Sequence, residues 1–533
     1  MMRRGAVFAV FLCCLLLLGW KSGNPAIATG YIDPVAGIQA QDEAIFASIS
    51  FQMADHGDWL NPQFLRRYAF WKPPLLYWLS AAGVKLLGHT TLALRWSSLV
   101  AGAAACALVF AWAWSETGSW AIGLSAALLL GSSRLFFDMS RIGLTDGLLA
   151  FEIALAMYAL GRDPKLESRF GLLVFGGATG AAMMTKGVAG ALPLLALAVY
   201  CVIGRERPRL KRIAQAAAVA AIVAAPWHLY QLFVHLRWFW GEYVLMQTVV
   251  YGAGSPPQIS GESQLGFYFR RLWLLDPPLL VAVSIALAWF AWTRARGLRP
   301  AERVVLVWTG MILAAVLSFR YRNASHLAPV FPALAMLAAL AVPRRAGFLA
   351  LTGALILFAV KARAPERPWG LPFGPESVNP SYAPLERYAA LRRGNDLILI
   401  EPDDQFYSAC LPLASVHYMY QDPRSTRPRI PPDFEYLGVL VTAPDFNRLS
   451  ELRPIFEGRL HKFGLNSGAP IATTIVARNE DEIAEAIQRH PEADFFAPAA
   501  WAARDGGLHW QWPAGNGDSN RVFLLSREVI QRP

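Results

Sequence analysis

The sequence predicts an α-helical polytopic membrane protein that carries a small α/β domain at its C-terminal end. Three observations carry this expectation. Hydrophobic residues make up 55% of the 533 positions and charged residues only 16%, with a mean hydropathy of +0.33, whereas a soluble chain carries about 25% charge. The apolar residues gather into runs long enough to cross a hydrocarbon core. Lysine and arginine recur in the short segments between alternate runs. The net charge of +11 therefore reads as a topology signal, and no nucleic-acid partner is expected.

A bilayer core needs about 20 apolar residues per helix. Runs near 5–20, 92–114, 120–137, 146–160, 170–184, 188–203, 213–235, 272–292, 303–319, 324–342 and 346–361 qualify. They predict roughly eleven spans. Arg3 and Arg4 precede the first. Arg162, Lys165 and Arg169 share one loop, and Arg205, Arg207, Arg209, Lys211 and Arg212 another. Arg294, Arg296, Arg299 and Arg303 form a third group, and Arg344 with Arg345 a fourth. Alternation of spans puts all of them on one face, the cytoplasm.

This scheme closes only if residues 73–88 do not span. The segment PPLLYWLSAAGVKLLG is short, opens with two prolines and contains Lys85. It reads as an interfacial helix with Tyr77 and Trp78 at headgroup depth. The N-terminus also has signal-peptide features: two arginines, an apolar core and Ala26-Ile27-Ala28 as a cleavage site.

From residue 363 the composition changes. The Pro-rich stretch ARAPERPWGLPFGPESVNP leads to strand-like segments DLILIE and YLGVLV, followed by the helix-like NRLSELRPIFEGRL and EDEIAEAIQRH. Residues 1–362 therefore form the membrane domain, with a first outer loop at 21–91, and 363–533 a soluble α/β domain on the outer, periplasmic side. The five cysteines, Cys13, Cys14, Cys106, Cys201 and Cys410, show neither a disulfide framework nor a zinc-type spacing.

Charges on the outer face are not explained by the insertion rule. The first outer loop holds Asp33, Asp42, Glu43, Asp55, Asp58, Arg66, Arg67, Lys72 and Lys85. The next outer turn has Arg141 and Asp146, and the third has Lys186 in MMTKGVAG. Arg237, Arg270 and Arg271 flank the loop at 236–271, and Arg320, Arg322 and His326 precede the tenth span. A reaction on a lipid-linked sugar phosphate needs such a set. A carboxylate takes a proton from an acceptor hydroxyl, and cations hold the phosphate as the glycosyl bond breaks.

The segment QDEAIFASISFQMADHGDWLNPQFLRRYAFWKPPLLYWLSAAGVKLLG resembles the first outer loop of GT-C glycosyltransferases. It is most similar to the 4-amino-4-deoxy-L-arabinose lipid A transferases and more distantly to the protein O-mannosyltransferases. The likeness rests on Asp42-Glu43, Gly57-Asp58-Trp59, Lys72-Pro73-Pro74-Leu75 and Tyr77-Trp78. Further on it rests on Arg141 and Asp146 in SRIGLTDGLL, Lys186 in MMTKGVAG, and RNASHLAPVFPALAML.

The resemblance implies a GT-C fold, a polyprenyl-phosphate sugar donor and inversion at the anomeric carbon. It implies Asp42 as the catalytic carboxylate, with Glu43 beside it, Lys72 and Lys186 on the donor phosphate, and Arg141 and Asp146 completing the pocket. Arg270, Arg271 and His326 join the candidate substrate-binding set. The acceptor expected is lipid A or another envelope glycolipid or glycan, reached among membrane lipids of the bacterial inner membrane.

Trp71 stands where those transferases have Glu, Ile45 where they have Arg, and EYVLMQTVVYGAG lacks their His-Asn motif. No cofactor is assigned, and a divalent metal is left open without residues to support it. Plainer roles exist for each residue. Asp42, Glu43 and Asp146 sit where first-turn acids stabilise a helix, and Lys72 and Lys85 where lysines snorkel. A carrier of lipid-linked sugars and a protein O-glycosyltransferase stay open as alternatives.

Overall fold

The computed structural model describes residues 2–362 apart from 21, 23–31, 34–37, 40–41, 65–66, 89–90, 204–205, 242, 245–246, 248–262, 294–296 and 320–322. Beyond 362 it describes 397–400, 474–477, 484–485, 488, 494–498, 508–510 and 523–529. The chain divides into two compact units. Unit 1 comprises Met1–Ser22, Phe70–Ser80 and Arg95–Pro372, and unit 2 Gly23–Ala69, Ala81–Leu94 and Phe373–Pro533. The signal-type cleavage site at 26–28 lies outside the described residues.

The first outer loop is folded locally. Two hairpins, β1 (Ile32–Asp33) with β2 (Ile38–Gln39) and β3 (Gln63–Phe64) with β4 (Arg67–Tyr68), flank helix α2 (Asp42–His56). Asp42 and Glu43 open α2 in its first turn, where the helix dipole favours acids. Gly57 closes it at φ 78°, its N–H donating to the Met53 carbonyl at 3.0 Å. Asp58 then accepts from the Asn61 backbone N–H (3.2 Å) and side-chain amide (3.0 Å), so the Gly-Asp-Trp motif is a turn. Helix α3 (Leu75–Leu87) starts after Pro73-Pro74 as expected. Tyr77, however, is fully buried in protein and does not face headgroups.

All eleven apolar runs are helical. They form α1 (Met2–Gly19), α4 (Thr91–Thr117), α5 (Trp120–Ser132) continuing into short α6 (Arg134–Met139), α7 (Thr145–Arg162) and α8 (Arg169–Lys186). A 3-10 turn (Gly187–Ala191) leads to α9 (Leu192–Ile203), followed by α10 (Leu210–Val234) and short α11 (Leu236–Phe239). Then come α12 (Gln264–Leu275), α13 (Pro277–Thr293), α14 (Pro300–Ser318), a 3-10 turn (Ala324–Val330) leading to α15 (Phe331–Ala341), and α16 (Gly347–Ala362). Five helical stretches among the described residues are long and apolar enough to cross a membrane, or six if α12 and α13 count as one. The chain is a multi-pass membrane protein.

The predicted span at 272–292 is not straight. α12 and α13 meet at 113°. Pro277 and Pro278 lack the N–H groups a continuous helix needs, and Asp276 between the helices is committed elsewhere. Its fully buried carboxylate accepts from the Arg134 backbone N–H (2.8 Å), the Leu135 N–H (3.5 Å) and the Lys361 ammonium (3.0 Å). One side chain thus ties the α12–α13 bend to the start of α6 and the end of α16.

α7 and α8 are each 18 residues and pack as an antiparallel hairpin. Their loop is closed by Asp163, which accepts from the Ser168 N–H at 2.7 Å. α10 lies close against α8 because Gly176 and Gly180 carry no side chain there. A Cβ at either would sit 2.7 Å from the carbonyl oxygen of Ala216 or Ala220. At Gly187 the helix ends, and Gly190 folds back onto the Ala182–Met183 backbone. α8 and α9 are therefore separate helices joined by the 3-10 turn, within the one apolar stretch Arg169–Ile203.

In unit 2 the described C-terminal strands are β5 (Leu397–Ile400), β6 (Thr474–Ala477), β7 (Asp494–Pro498), β8 (Leu508–Trp510) and β9 (Phe523–Val529). They form a mixed sheet ordered β6-β5-β7-β9-β8, with β5 parallel to both neighbours and β9 antiparallel to both of its own. The segment DLILIE supplies β5 as expected. YLGVLV and NRLSELRPIFEGRL lie outside the described residues.

Asp276→Ala would leave the Lys361 ammonium and two backbone N–H groups without their shared acceptor. The expected cost is about 3 kcal/mol, measurable as a lower unfolding temperature in detergent. Lys361→Met, which leaves the N–H bonds to Asp276 in place, is expected to cost less.

Candidate functional site

Four residues singled out in the sequence lie near one another within unit 1, and two of them, Asp146 and Lys186, are in contact. Asp146 is in the first turn of α7 and Lys186 is the last residue of α8. Because the two helices are antiparallel and equal in length, these ends lie side by side, and Lys186 Nζ donates to Asp146 Oδ1 at 2.7 Å. Both side chains are largely buried. The helix dipoles favour this placement, an acid at an N-terminus and a base at a C-terminus.

His326 lies in the 3-10 turn that packs on α7. Its ring lies within electrostatic range of Lys186, Asp146 and Lys72. Four segments spread from residue 72 to residue 326 thus contribute to one cluster.

Lys72 is held from both sides. Two residues before it, Phe70 is fully buried, with ring centroids 6.3 Å from Trp227, 5.6 Å from His235 and 5.8 Å from Phe239. Pro73 and Pro74 restrict the backbone after it. The Lys72 ammonium donates to Gln247 Oε1 at 2.7 Å.

Tyr243, one turn before Gln247, stacks on Phe239 at 4.8 Å and bonds His228 Nε2 at 2.8 Å through its hydroxyl. His228 Nδ1 lies 2.8 Å from the Ala224 carbonyl, which can only accept, so Nδ1 carries the proton. In the neutral ring Nε2 then accepts from Tyr243. This hydroxyl also sits against Gly187, immediately after Lys186.

Arg141 is placed differently from the pocket role implied for it. Its Nε donates to the Leu18 carbonyl at 2.8 Å and its Nη2 to the Trp20 carbonyl, while the guanidinium lies 4.7 Å over the Phe137 ring. Arg95, fully buried, donates to the Ser22 carbonyl at 2.8 Å. Arg141 therefore caps the C-terminal end of α1, whose last carbonyls lack helical donors, and Arg95 holds the turn just after it. Burial, partly offset by Asp138, brings Arg141 down to about 10, which leaves it charged at neutral pH. On α12, Arg270 is exposed and Arg271 stacks 5.3 Å over Phe267.

Asp42 and Glu43 belong to unit 2. Asp42 is exposed at the start of α2, and Glu43 is 1% exposed. Of the adjacent carboxylates, Asp42 is the one a solvent-borne group can reach. Among the described residues no group of three or more His, Cys, Asp and Glu is arranged to hold a metal ion.

The fold is recognisable. ArnT from Cupriavidus metallidurans, solved bound to undecaprenyl phosphate, superposes with a TM-score of 0.56 at 19% identity, over 98% of each chain. The same protein in the apo state gives 0.55 at 18% identity. This chain has the ArnT fold.

The family model described as dolichyl-phosphate-mannose-protein mannosyltransferase matches residues 71–230, which run from Trp71 past Lys186 within that fold. An undecaprenyl phosphate-alpha-4-amino-4-deoxy-L-arabinose arabinosyl transferase from Sodalis glossinidius is 30% identical over 320 residues, 58% of this chain and 56% of the relative. One from Aeromonas salmonicida is 31% identical over 219 residues, 38% of this chain and 39% of the relative. The chain thus spans about half, or less, of the length of the curated relatives it matches. The resemblance to these transferases read from the motifs is borne out.

Sequence reasoning passed over Gln247, Tyr243, His228, Arg95 and the Glu152–Thr185 contact, in which the two side chains lie 2.9 Å apart. Glu152 did carry a signal, being an acid inside an apolar run. Nothing in EYVLMQTVVYGAG singled out Gln247.

Gly187 adopts φ 53°, ψ −122°, and a Cβ there would overlap the Tyr243 hydroxyl. Gly187→Ala is expected to cost roughly 1–3 kcal/mol through backbone strain, on top of that clash. Adding Tyr243→Phe should recover part of the loss in unfolding temperature. No recovery would mean that the hydroxyl does not press on this turn.

Proposed function

We propose that this chain is an inverting glycosyltransferase that moves a sugar from a polyprenyl-phosphate donor to a cell-envelope acceptor, lipid A or another glycolipid or glycan. The observation that carries this reading is the gathering of Lys72, Lys186, Asp146 and His326, from four separate segments, in the membrane-embedded unit. The ArnT fold over the whole chain supports it, as do the curated relatives, whose names give undecaprenyl phosphate-linked aminoarabinose as donor.

In this reading Lys72 and Lys186 hold the phosphate. As the bond from the anomeric carbon to the phosphate oxygen breaks, the leaving monoester gains charge, and two ammonium groups at fixed positions offset it. The acceptor oxygen forms the new bond from the opposite face, and Asp42 takes its proton. Asp146 keeps Lys186 directed while no donor is bound. His326 lines the same cluster, and Arg270 and Arg271 stand on α12 as further cations for the donor.

The topology proposed has eleven crossings, with the basic loops in the cytoplasm and the site on the periplasmic face of a bacterial inner membrane. Residues 363–533 form a periplasmic α/β domain. Unit 2 supports the shared side, since it combines two parts of the first outer loop, Gly23–Ala69 and the stretch from Ala81, with the C-terminal sheet. The mannosyltransferase model over 71–230 favours a second acceptor class, a protein hydroxyl.

The test uses membranes containing the full chain, a panel of radiolabelled polyprenyl-phosphate sugars, and extracted envelope lipids and proteins. A product mass combining a donor sugar with an envelope acceptor is expected. Asp42→Asn should lower turnover by about 10²–10⁴-fold while undecaprenyl phosphate still binds. Lys186→Ala should weaken that binding. Lipid-linked sugar crossing the membrane with no product, unchanged in Asp42→Asn, would identify a carrier instead.

A further inference from the structure

Glu152 is used by none of the roles above, yet it is a carboxylic side chain inside a membrane helix. It lies in α7, six residues beyond Asp146, and is 5% exposed. Its Oε1 is 2.9 Å from Oγ1 of Thr185, the residue before Lys186. The same Oγ1 is 3.1 Å from the Ala181 carbonyl oxygen.

A threonine hydroxyl has one proton, and a carbonyl oxygen only accepts. Both contacts are full hydrogen bonds together in one arrangement: Thr185 donates to Ala181, and Glu152, as a carboxylic acid, donates to Thr185. The second oxygen, Oε2, is buried with no hydrogen-bond partner among the described residues. A neutral carbonyl oxygen tolerates that at far lower cost than a carboxylate oxygen.

We propose that Glu152 is a positioning residue, held as a neutral acid, that clamps the last turn of α8 and so directs Lys186 toward an anionic phosphate. The proposal rests on reading the lysine cluster as the donor-phosphate site. Neutrality matters as much as the clamp. Lys186 already faces the carboxylate of Asp146 at 2.7 Å. An ionised Glu152, bonded to the residue just behind it, would set a second carboxylate against the anionic phosphate.

Two measurements on the full chain in nanodiscs test this. Infrared difference spectra should show a D2O-sensitive C=O stretch of a protonated carboxyl that disappears in Glu152→Gln. Undecaprenyl phosphate should bind Glu152→Gln to within about twofold of wild type, because the amide also donates to Thr185, and Glu152→Ala about tenfold more weakly. Thr185→Val should bind as weakly as Glu152→Ala, with Thr185→Ser restoring affinity, and these variants serve if Glu152→Ala does not fold.

A carboxyl band that survives Glu152→Gln, or a Gln variant as weak as the Ala variant, overturns the proposal. Wild-type protein that shows the band but fails to bind undecaprenyl phosphate counts against the phosphate-site reading and leaves the acid in place.

Discussion

The ion pair between Lys186 and Asp146 is the contact on which the rest of the site depends. Removing two charges from water costs several kcal/mol per ion, and their attraction returns this only in good geometry. Here the geometry comes from the backbone. Two antiparallel helices of equal length bring an N-terminal turn beside a C-terminal one, so each charge also meets the favourable end of a helix dipole. Lys186 is therefore fixed before any ligand arrives. The abrupt stop at Gly187, enforced by a positive φ and by the Tyr243 hydroxyl behind it, leaves the ammonium at the end of its helix.

Other buried charges in unit 1 serve the framework. Asp276 joins the α12–α13 bend to two other elements, Arg141 closes the carbonyl end of α1, and Arg95 holds the turn that follows it. In each case the partners include backbone groups that would otherwise be stranded away from water. That distinguishes them from Lys186, which faces the side chain of Asp146, and from Lys72, which donates to the side chain of Gln247. By this criterion Arg141, which the motif likeness would place in the pocket, belongs with the framework.

Much of the fold was legible because hydrophobic run length is a local property. Each predicted apolar run is helical, some of them broken into two helical elements, and the Pro-rich change near 363 coincides with the end of α16. The bend at Asp276-Pro277-Pro278 had a local cause that hydropathy smoothed over. Lys72, Asp146, Lys186 and His326 were legible as charges that the insertion rule did not explain. Gln247 and Tyr243 were not. An amide or a phenol in an apolar, aromatic stretch looks the same in sequence whether it lines a groove or faces a lysine.

Taken alone, the sequence determined the class of protein, the helical segments and the residue types able to handle a lipid-linked phosphate, since each follows from composition and spacing along the chain. Only the tertiary structure decided which charges meet. Helix ends come together through pairing of lengths, glycine-permitted close approach and aromatic packing across segments up to 254 residues apart, from Lys72 to His326. That is why Arg141 went to a helix cap while Lys186 came to face Asp146. It is also why a glutamate in an apolar run could be matched to Thr185 only in three dimensions.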